Sequence, residues 1–339
     1  MAGGGTTIAA LARKNGLRVV SPEELTIRRQ RRGRGFVYLR PSGRPVRDEA
    51  TLRRFRSLAV PPAYTDVLLA EDPAAHLQAI GRDAAGRLQY RYHPNWEIVR
   101  EARKSRRLKR LATVLPQLRR RLLQHLRCRE ATRDHALAAV IELVWAGAIR
   151  AGTESYVQSS GARGAVTLLK SQVRVAGRTI VLNFRGKGGR MVEKSIVAPP
   201  LARALRRIAR LPGGRLFQYR DENGEVRPVR SAEVNVFLRA MAQTRISMKD
   251  FRTMAGTMQA MEHLAQVEPA GSHTARQRQV MAAMRDVADH LANTPAVCRR
   301  SYVHQAVLTA FESGALQRLA AERTRRMNGT HLIGLLARP

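Results

Sequence analysis

Four polar residues of this chain fall where an element is expected to end or turn. Arg150 closes the apolar run DHALAAVIELVWAGAIR and opens RAGTESY. Lys187 sits in FRGKGG, between two strand-like runs, and Arg252 lies in KDFRTMAGT. Tyr302, one of only seven tyrosines, follows Arg299 and Arg300 in TPAVCRRSYVH. Singly, each has a structural account: arginines cap helix C-termini, lysines populate turns, and tyrosines fill cores. Together they are three cations and a phenol. Either basic neighbours surround a half-buried core tyrosine, or a nucleophile is set among charges that would hold an anionic substrate.

Composition favours an anionic partner. The chain has 339 residues, room for about two domains, and 44% of them are hydrophobic, enough for a real core. Lys and Arg number 61 against 26 Asp and Glu, a formal net charge of +35. Such an excess points to a polyanion, with nucleic acid first. No apolar run approaches the ~18 residues of a membrane span, and MAGGGTTIAALARKNG lacks the pattern of a signal peptide. Cys128 and Cys298 match no metal-ligand spacing and read as packing residues of a reducing compartment. The nine histidines form no HExxH or Cys/His cluster, and no Gly-x4-Gly-Lys-Ser/Thr loop occurs. Neither a metal nor a nucleotide cofactor is expected.

The elements that must position these residues follow from pattern. Residues 1–24 are Gly-rich at the start and weakly patterned, and are expected to be mobile. A small β-rich domain follows over 25–96: a hairpin of GFVYL and PVRD around the turn PSGR, a short helix in TLRRFRSLAV ended by Pro61 and Pro62, and two strands in HLQAIGRDAAGRLQYRYH. A mainly helical domain is predicted over 97–339. Leu108, Leu111, Leu115, Leu118 and Leu122 recur at helical spacing beneath a basic face suited to phosphates. A buried helix with Asp134 as N-cap delivers Arg150. SQVRV, TIVLNF and MVEKSIV make a β meander, with RGKGG as its second turn. Ser247 and Asp250 are spaced as a capping box. Thr294-Pro295 is an N-cap with proline at N1, starting the helix expected to carry Tyr302. The fold class is α+β.

The ordered motifs RAGTESY, FRGKGG, KDFRTMAGT and NTPAVCRRSYVH, with VPPAYTDV and HLQAIGRDAAGRLQYRYH before them, resemble the type IB DNA topoisomerases of the compact bacterial, poxvirus-like branch. The resemblance runs from about residue 35 to about 305. It implies that Tyr302 is the nucleophile, that Arg150 and Arg252 clamp the scissile phosphate, and that Lys187 is the general acid. Where many relatives carry a histidine nine residues before the tyrosine, this chain has Asn293, a neutral donor that can stabilise the transition state but not protonate it. The resemblance also makes Gln89, Tyr90, Tyr92 and Tyr156 DNA contacts. Around His76, AAHLQAIG departs from the more usual Asn-Gly-His…Ala-Thr-Gly. The implied substrate is double-stranded DNA, gripped by a monomer of nucleoid-associated, cytoplasmic habit, with no cofactor.

Phosphoryl chemistry accounts for these residue types. A free phenol has a pKa of ~10, and adjacent guanidinium groups favour its ionisation while neutralising the equatorial oxygens. Arginine stays charged and grips phosphate in a fork. A departing sugar hydroxyl needs a proton, which a lysine among cations gives up more readily. Two other readings remain. A tyrosine recombinase has nearly the same set but usually a His shortly before the second Arg, where Lys249-Asp250-Phe251 stand here, and a helical N-terminal domain. A non-catalytic basic DNA-binding protein explains the charge and leaves the ordered set to coincidence.

Overall fold

The computed structural model describes residues 7–321 and Gly334, and the chain divides into two units, Met1–Lys104 and Ser105–Pro339. In the first, part of the segment expected to be mobile carries a helix, α1 (Ile8–Lys14), whose N-cap Thr7 accepts from Ala10 N at 3.2 Å. Leu11, Ala12 and Leu17 bury their side chains with Val99, and that apolar contact anchors the segment. The Gly-rich residues 1–6 lie outside the described residues.

The unit is built on a five-stranded antiparallel sheet. Its strands are β1 (Ile27–Arg32), β2 (Gly35–Leu39), β3 (Thr65–Leu69), β4 (Leu77–Arg82) and β5 (Leu88–Tyr92), in the order β2-β1-β3-β4-β5. A helix, α2 (Glu49–Ser57), capped by Asp48, buries Phe55 with Ile27, Val67 and Leu69. Burying one such side chain stabilises by about 1.5–3 kcal/mol. GFVYL pairs with β1, IRRQRR, and not with PVRD, which meets it only at the bridge Leu39–Pro45; pattern reading misses β1 because only Ile27 is apolar and buried. Its arginines find other partners: Arg29 donates to the carbonyls of Val60, Pro61 and Tyr64, each at 2.9 Å, and stacks over Phe36 at 4.2 Å.

The division between the units falls inside α3 (Trp96–Leu126), eight residues beyond the boundary expected from composition at 96/97. The compositional shift marks where the helix begins rather than where the packing changes. In the second unit Leu108, Leu111, Leu118 and Leu122 are buried as their spacing predicts. Helix α4 (Arg133–Gly147) is capped by Thr132, whose hydroxyl accepts from His135 N at 3.3 Å, and not by Asp134. Every residue from His135 to Val144 is buried, so α4 is a central helix enclosed all round rather than one-faced.

Helix α5 (Glu154–Ser160) precedes the meander β6 (Val173–Ala176), β7 (Thr179–Arg185) and β8 (Met191–Val197), antiparallel in the order β6-β7-β8. Then come α6 (Pro199–Ile208), the pair β9 (Gln218–Arg220) and β10 (Val226–Pro228), and α7 (Ser231–Ala242). The chain continues through α8 (Met248–Ala265), α9 (His273–Leu291), α10 (Pro295–Ser301), α11 (Gln305–Glu312) and α12 (Ala315–Ala321). Helix α4 packs against α6, α7 and α8, so the elements that carry the candidate residues rest on one core.

Candidate active site

Arg150 is held by backbone rather than by a helix cap. Helix α4 ends at Ala148 in the left-handed region, φ 49°, and Arg150 follows two residues later. Its carbonyl accepts from Ala165 N at 2.8 Å, and Ala151 O accepts from Val166 N at 2.8 Å. Gly152 and Gly164 make this clasp possible: a Cβ on Gly164 would stand 2.5 Å from both Arg150 O and Gly152 N. The Arg150 guanidinium donates through Nη1 to Ala292 O at 3.2 Å.

Lys187 is exposed at the tip between β7 and β8, a turn closed by Gly186 N donating to Arg190 O at 2.7 Å. Gly188 and Gly189 both have φ of +76°, which side chains rarely tolerate. Lys187 Nζ donates to the Tyr156 hydroxyl at 2.9 Å and lies over the Tyr156 ring at 4.7 Å. The structure thereby joins two residues to which the resemblance gives separate tasks.

Arg252 is the most enclosed member, 3% exposed. It lies one turn into α8, whose start is fixed by Asp250 accepting from Ser247 N at 2.8 Å and from Ser247 Oγ at 2.9 Å. Its Nη1 donates to Ala148 O and its Nη2 to Leu291 O at 2.9 Å, while Nε is buried without a partner. The guanidinium carbon stands 5.0 Å from the centre of the Tyr302 ring. Burial lowers the Arg252 pKa, the facing phenol opposes that, and Arg150 adds to it. An unpaired buried donor beside a phenol is a seat for an anion.

Helix α10 begins as expected, with Thr294 Oγ1 accepting from Val297 N at 3.3 Å. Tyr302, however, caps it: its φ of −128° places it just past the last helical residue, half-buried. Two residues that sequence reasoning passed over hold its backbone. The Thr257 hydroxyl, whose nearer acceptor is Thr253 O at 2.7 Å, also reaches Tyr302 O at 3.1 Å, and Gly256 gives room, since a Cβ there would stand 3.0 Å from Tyr302 O and from Leu291 Cδ1. The AGT that follows KDFRTM carried this signal. Asn293 is 8% exposed; its Oδ1 accepts from Thr294 N at 3.0 Å, while Nδ2 is buried without a partner.

Arg150, Lys187 and Arg252 line one cleft with Leu291 and Ala292, and two more cations join them, Arg163 and, on β8, Lys194. Burial, and then Arg252, lower the Lys194 pKa to about 8. No short motif announces this lysine, which sits in an ordinary strand alternation.

The first unit holds the remaining candidates. Tyr90 and Tyr92 stack with ring centres 6.2 Å apart, and Tyr92 stacks on Trp96 at 6.3 Å, leaving both tyrosines exposed. Gln89 alternates to the opposite face and donates through Nε2 to Asp83 Oδ2 at 2.9 Å. The structure therefore groups the tyrosines and leaves the glutamine apart. Among the described residues no group of three or more His, Cys, Asp or Glu is placed to hold a metal ion.

Comparison with known proteins identifies the family. Residues 94–327 match the family model of the eukaryotic DNA topoisomerase I catalytic core, and residues 35–83 match that of the bacterial DNA topoisomerase IB N-terminal domain. The DNA topoisomerase 1B of Acanthamoeba polyphaga mimivirus is 26% identical over 294 residues, covering 85% of this chain and 88% of that protein. The chain belongs to the type IB DNA topoisomerase family, and its substrate is DNA. That membership separates it from the recombinase and from the non-catalytic binder.

Proposed function

We propose that this topoisomerase relaxes supercoiled duplex DNA by an exchange of phosphodiesters centred on Tyr302. The phenolic oxygen attacks the phosphorus of one strand, and its proton passes to solvent. The bond to the 5′-oxygen breaks, and Lys187 supplies the proton that oxygen needs. Arg150, Arg252 and the Asn293 amide hold the phosphate oxygens through the change. The 3′-phosphotyrosyl bond keeps the energy of the broken link, so the freed hydroxyl reseals the strand after it has swivelled, and neither ATP nor a metal is needed. One observation carries this reading: buried Arg252, its Nε unpartnered, faces Tyr302 at 5.0 Å.

Gln89, Tyr90 and Tyr92 in the first unit and Tyr156 in the second are read as DNA contacts, with a single copy of the chain gripping the duplex. The net charge of +35 supports that grip and a place on the nucleoid. No helix among the described residues is long and apolar enough to cross a membrane. The test is plasmid relaxation in EDTA without ATP, for both signs of supercoiling. Complete relaxation is expected; an absolute requirement for either cofactor would overturn the scheme.

A further inference from the structure

The C-terminal end of α9 leaves its last carbonyls without helical partners, as every helix does. Here four consecutive carbonyls, two in the last turn of α9 (His290, Leu291) and two just past it (Ala292, Asn293), are taken by four cations from three parts of the chain. His290 O accepts from Lys194 Nζ at 2.6 Å, and Leu291 O from Arg252 Nη2 at 2.9 Å. Ala292 O accepts from Arg150 Nη1 at 3.2 Å, and Asn293 O from Arg190 Nη1 at 2.7 Å. The two inner cations are the proposed phosphate clamp. The outer two, on β8 and at the end of its hairpin turn, have been assigned no task. The row ends at Asn293, whose side-chain Nδ2 is buried and unpartnered.

A basic residue near a helix C-terminus is ordinarily a modest capping device, worth ~0.3–1 kcal/mol. Several features separate this row from that account. Four mutually repelling cations crowd one helix end, which stability alone would disfavour. Lys194 lies in the cleft that Arg150 and Arg252 line. Ala292, between them, is held at φ 46°, so the turn that aims these carbonyls is not a relaxed one.

We propose that the carbonyls of residues 290–293 form a seat that aims the phosphate clamp, and that Lys194 and Arg190 are positioning residues gripping the seat at its two ends. The inference rests on the reading that Arg150 and Arg252 bind the scissile phosphate. Each of these arginines uses a donor on the seat and keeps others for the substrate, so its guanidinium plane is set before DNA arrives. Lys194 fixes the carbonyl before the pair and Arg190 the carbonyl after it. Loss of either lets the turn shift, and the clamp and Asn293 shift with it.

The test is single-turnover formation of the covalent adduct, with DNA affinity measured separately in the Tyr302→Phe background. Lys194→Met and Arg190→Gln should each slow cleavage by up to ~10²-fold, the scale of a small misplacement, with DNA affinity unchanged. Lys194→Arg, which keeps a donor and the charge, should recover most of the rate. In an Arg252→Ala background Lys194→Met should cost much less than in the wild type, because the group it aims is gone. Equal losses on both backgrounds would make Lys194 a substrate contact, and a wild-type rate for both Lys194→Met and Arg190→Gln would remove the seat altogether. Arg190 is exposed, so Arg190→Gln decides the matter if Lys194→Met fails to fold. If Arg252→Ala and Arg150→Ala themselves cleave normally, it is the assignment of the clamp that fails, a result distinct from failure of the seat.

Discussion

Arg29, half-buried in the first unit, and Arg252, buried in the second, both bond to backbone carbonyls, yet they are left in different states. Arg29 donates to Val60, Pro61 and Tyr64 and stacks on Phe36. Its bonding capacity is largely spent, and it ties a basic strand to the loop before β3. Arg252 donates to Ala148 and Leu291, keeps Nε buried and unpaired, and faces a phenol. A buried donor left open costs about 1–3 kcal/mol, and a fold retains that cost where a ligand will relieve it. The number of arginines says only that the partner is anionic. The donors left unsatisfied say where the anion goes.

The sharpest way to break this contrast is at the phenol. Tyr302→Phe keeps the ring against Arg252 and removes only the oxygen. We expect covalent adduct to vanish while DNA binding persists, with log K still falling about 0.9 per phosphate neutralised per unit of log salt. Adduct from that variant would move the nucleophile elsewhere and leave Arg252 facing a bystander.

Next in size is Lys187. General-acid catalysis is worth ~10²–10⁴-fold, so Lys187→Ala should lose that much cleavage rate on ordinary DNA. With sulfur at the bridging 5′ position the leaving group needs little help, and the variant should approach wild-type speed. Arg150→Ala should stay slow on both substrates. Equal defects for Lys187→Ala on both would make it a phosphate binder. The clasp behind Arg150 should matter almost as much. Gly164→Ala drives a methyl into Arg150 O and Gly152 N, and a displaced arginine should slow cleavage by roughly 10²-fold. A normal rate from a folded Gly164→Ala chain would show that the clasp does not set Arg150.

How much of this was legible in the sequence depended on the kind of signal. Periodicity places α3 and the meander, because leucine spacing and strand alternation report burial directly. It fails for β1, where five consecutive polar residues, RRQRR, hide a strand whose support comes from carbonyls and one aromatic ring. Motif order picks out Arg150, Lys187, Arg252, Asn293 and Tyr302. It passes over Gly164 and Gly256, because their importance lies in what a Cβ would strike across the fold. Lys194 is invisible for a related reason: its partner is a backbone carbonyl ninety-six residues away, and backbone atoms leave no mark in a sequence.

Lys194 should also be visible in the pH dependence of stability. Its pKa is lowered from 10.5 to about 8 in the folded chain, by burial first and by Arg252 second. Between those values the unfolded chain holds the proton that the folded chain has released, so stability should rise with pH from about 8 to 10.5 and be insensitive to this group below 8. The amplitude is at most about 3 kcal/mol. Denaturant melts across that window should lose this rise in Lys194→Met; an identical profile in the variant would mean that Lys194 is not enclosed in solution.

The smallest expected effect on chemistry is at the other half of the comparison. Arg29→Ala removes the partner of three half-buried carbonyls and the cover of Phe36, and leaving such acceptors unpaired costs at most about 1–3 kcal/mol. The first unit should therefore be less stable by an amount of that order. Its donors are already engaged, so cleavage at saturating DNA should keep the wild-type rate. Arg252→Ala should show the reverse emphasis, with a rate loss on the order of 10²–10³-fold, as for removal of one transition-state donor. The measurement is a pair of numbers for each variant, the midpoint of denaturant unfolding and the single-turnover cleavage rate. If Arg29→Ala cut the rate as deeply as Arg252→Ala while its midpoint stayed at the wild-type value, the engaged guanidinium would be a functional group after all. Open donors would then no longer distinguish the arginine that holds the fold from the one that holds the phosphate.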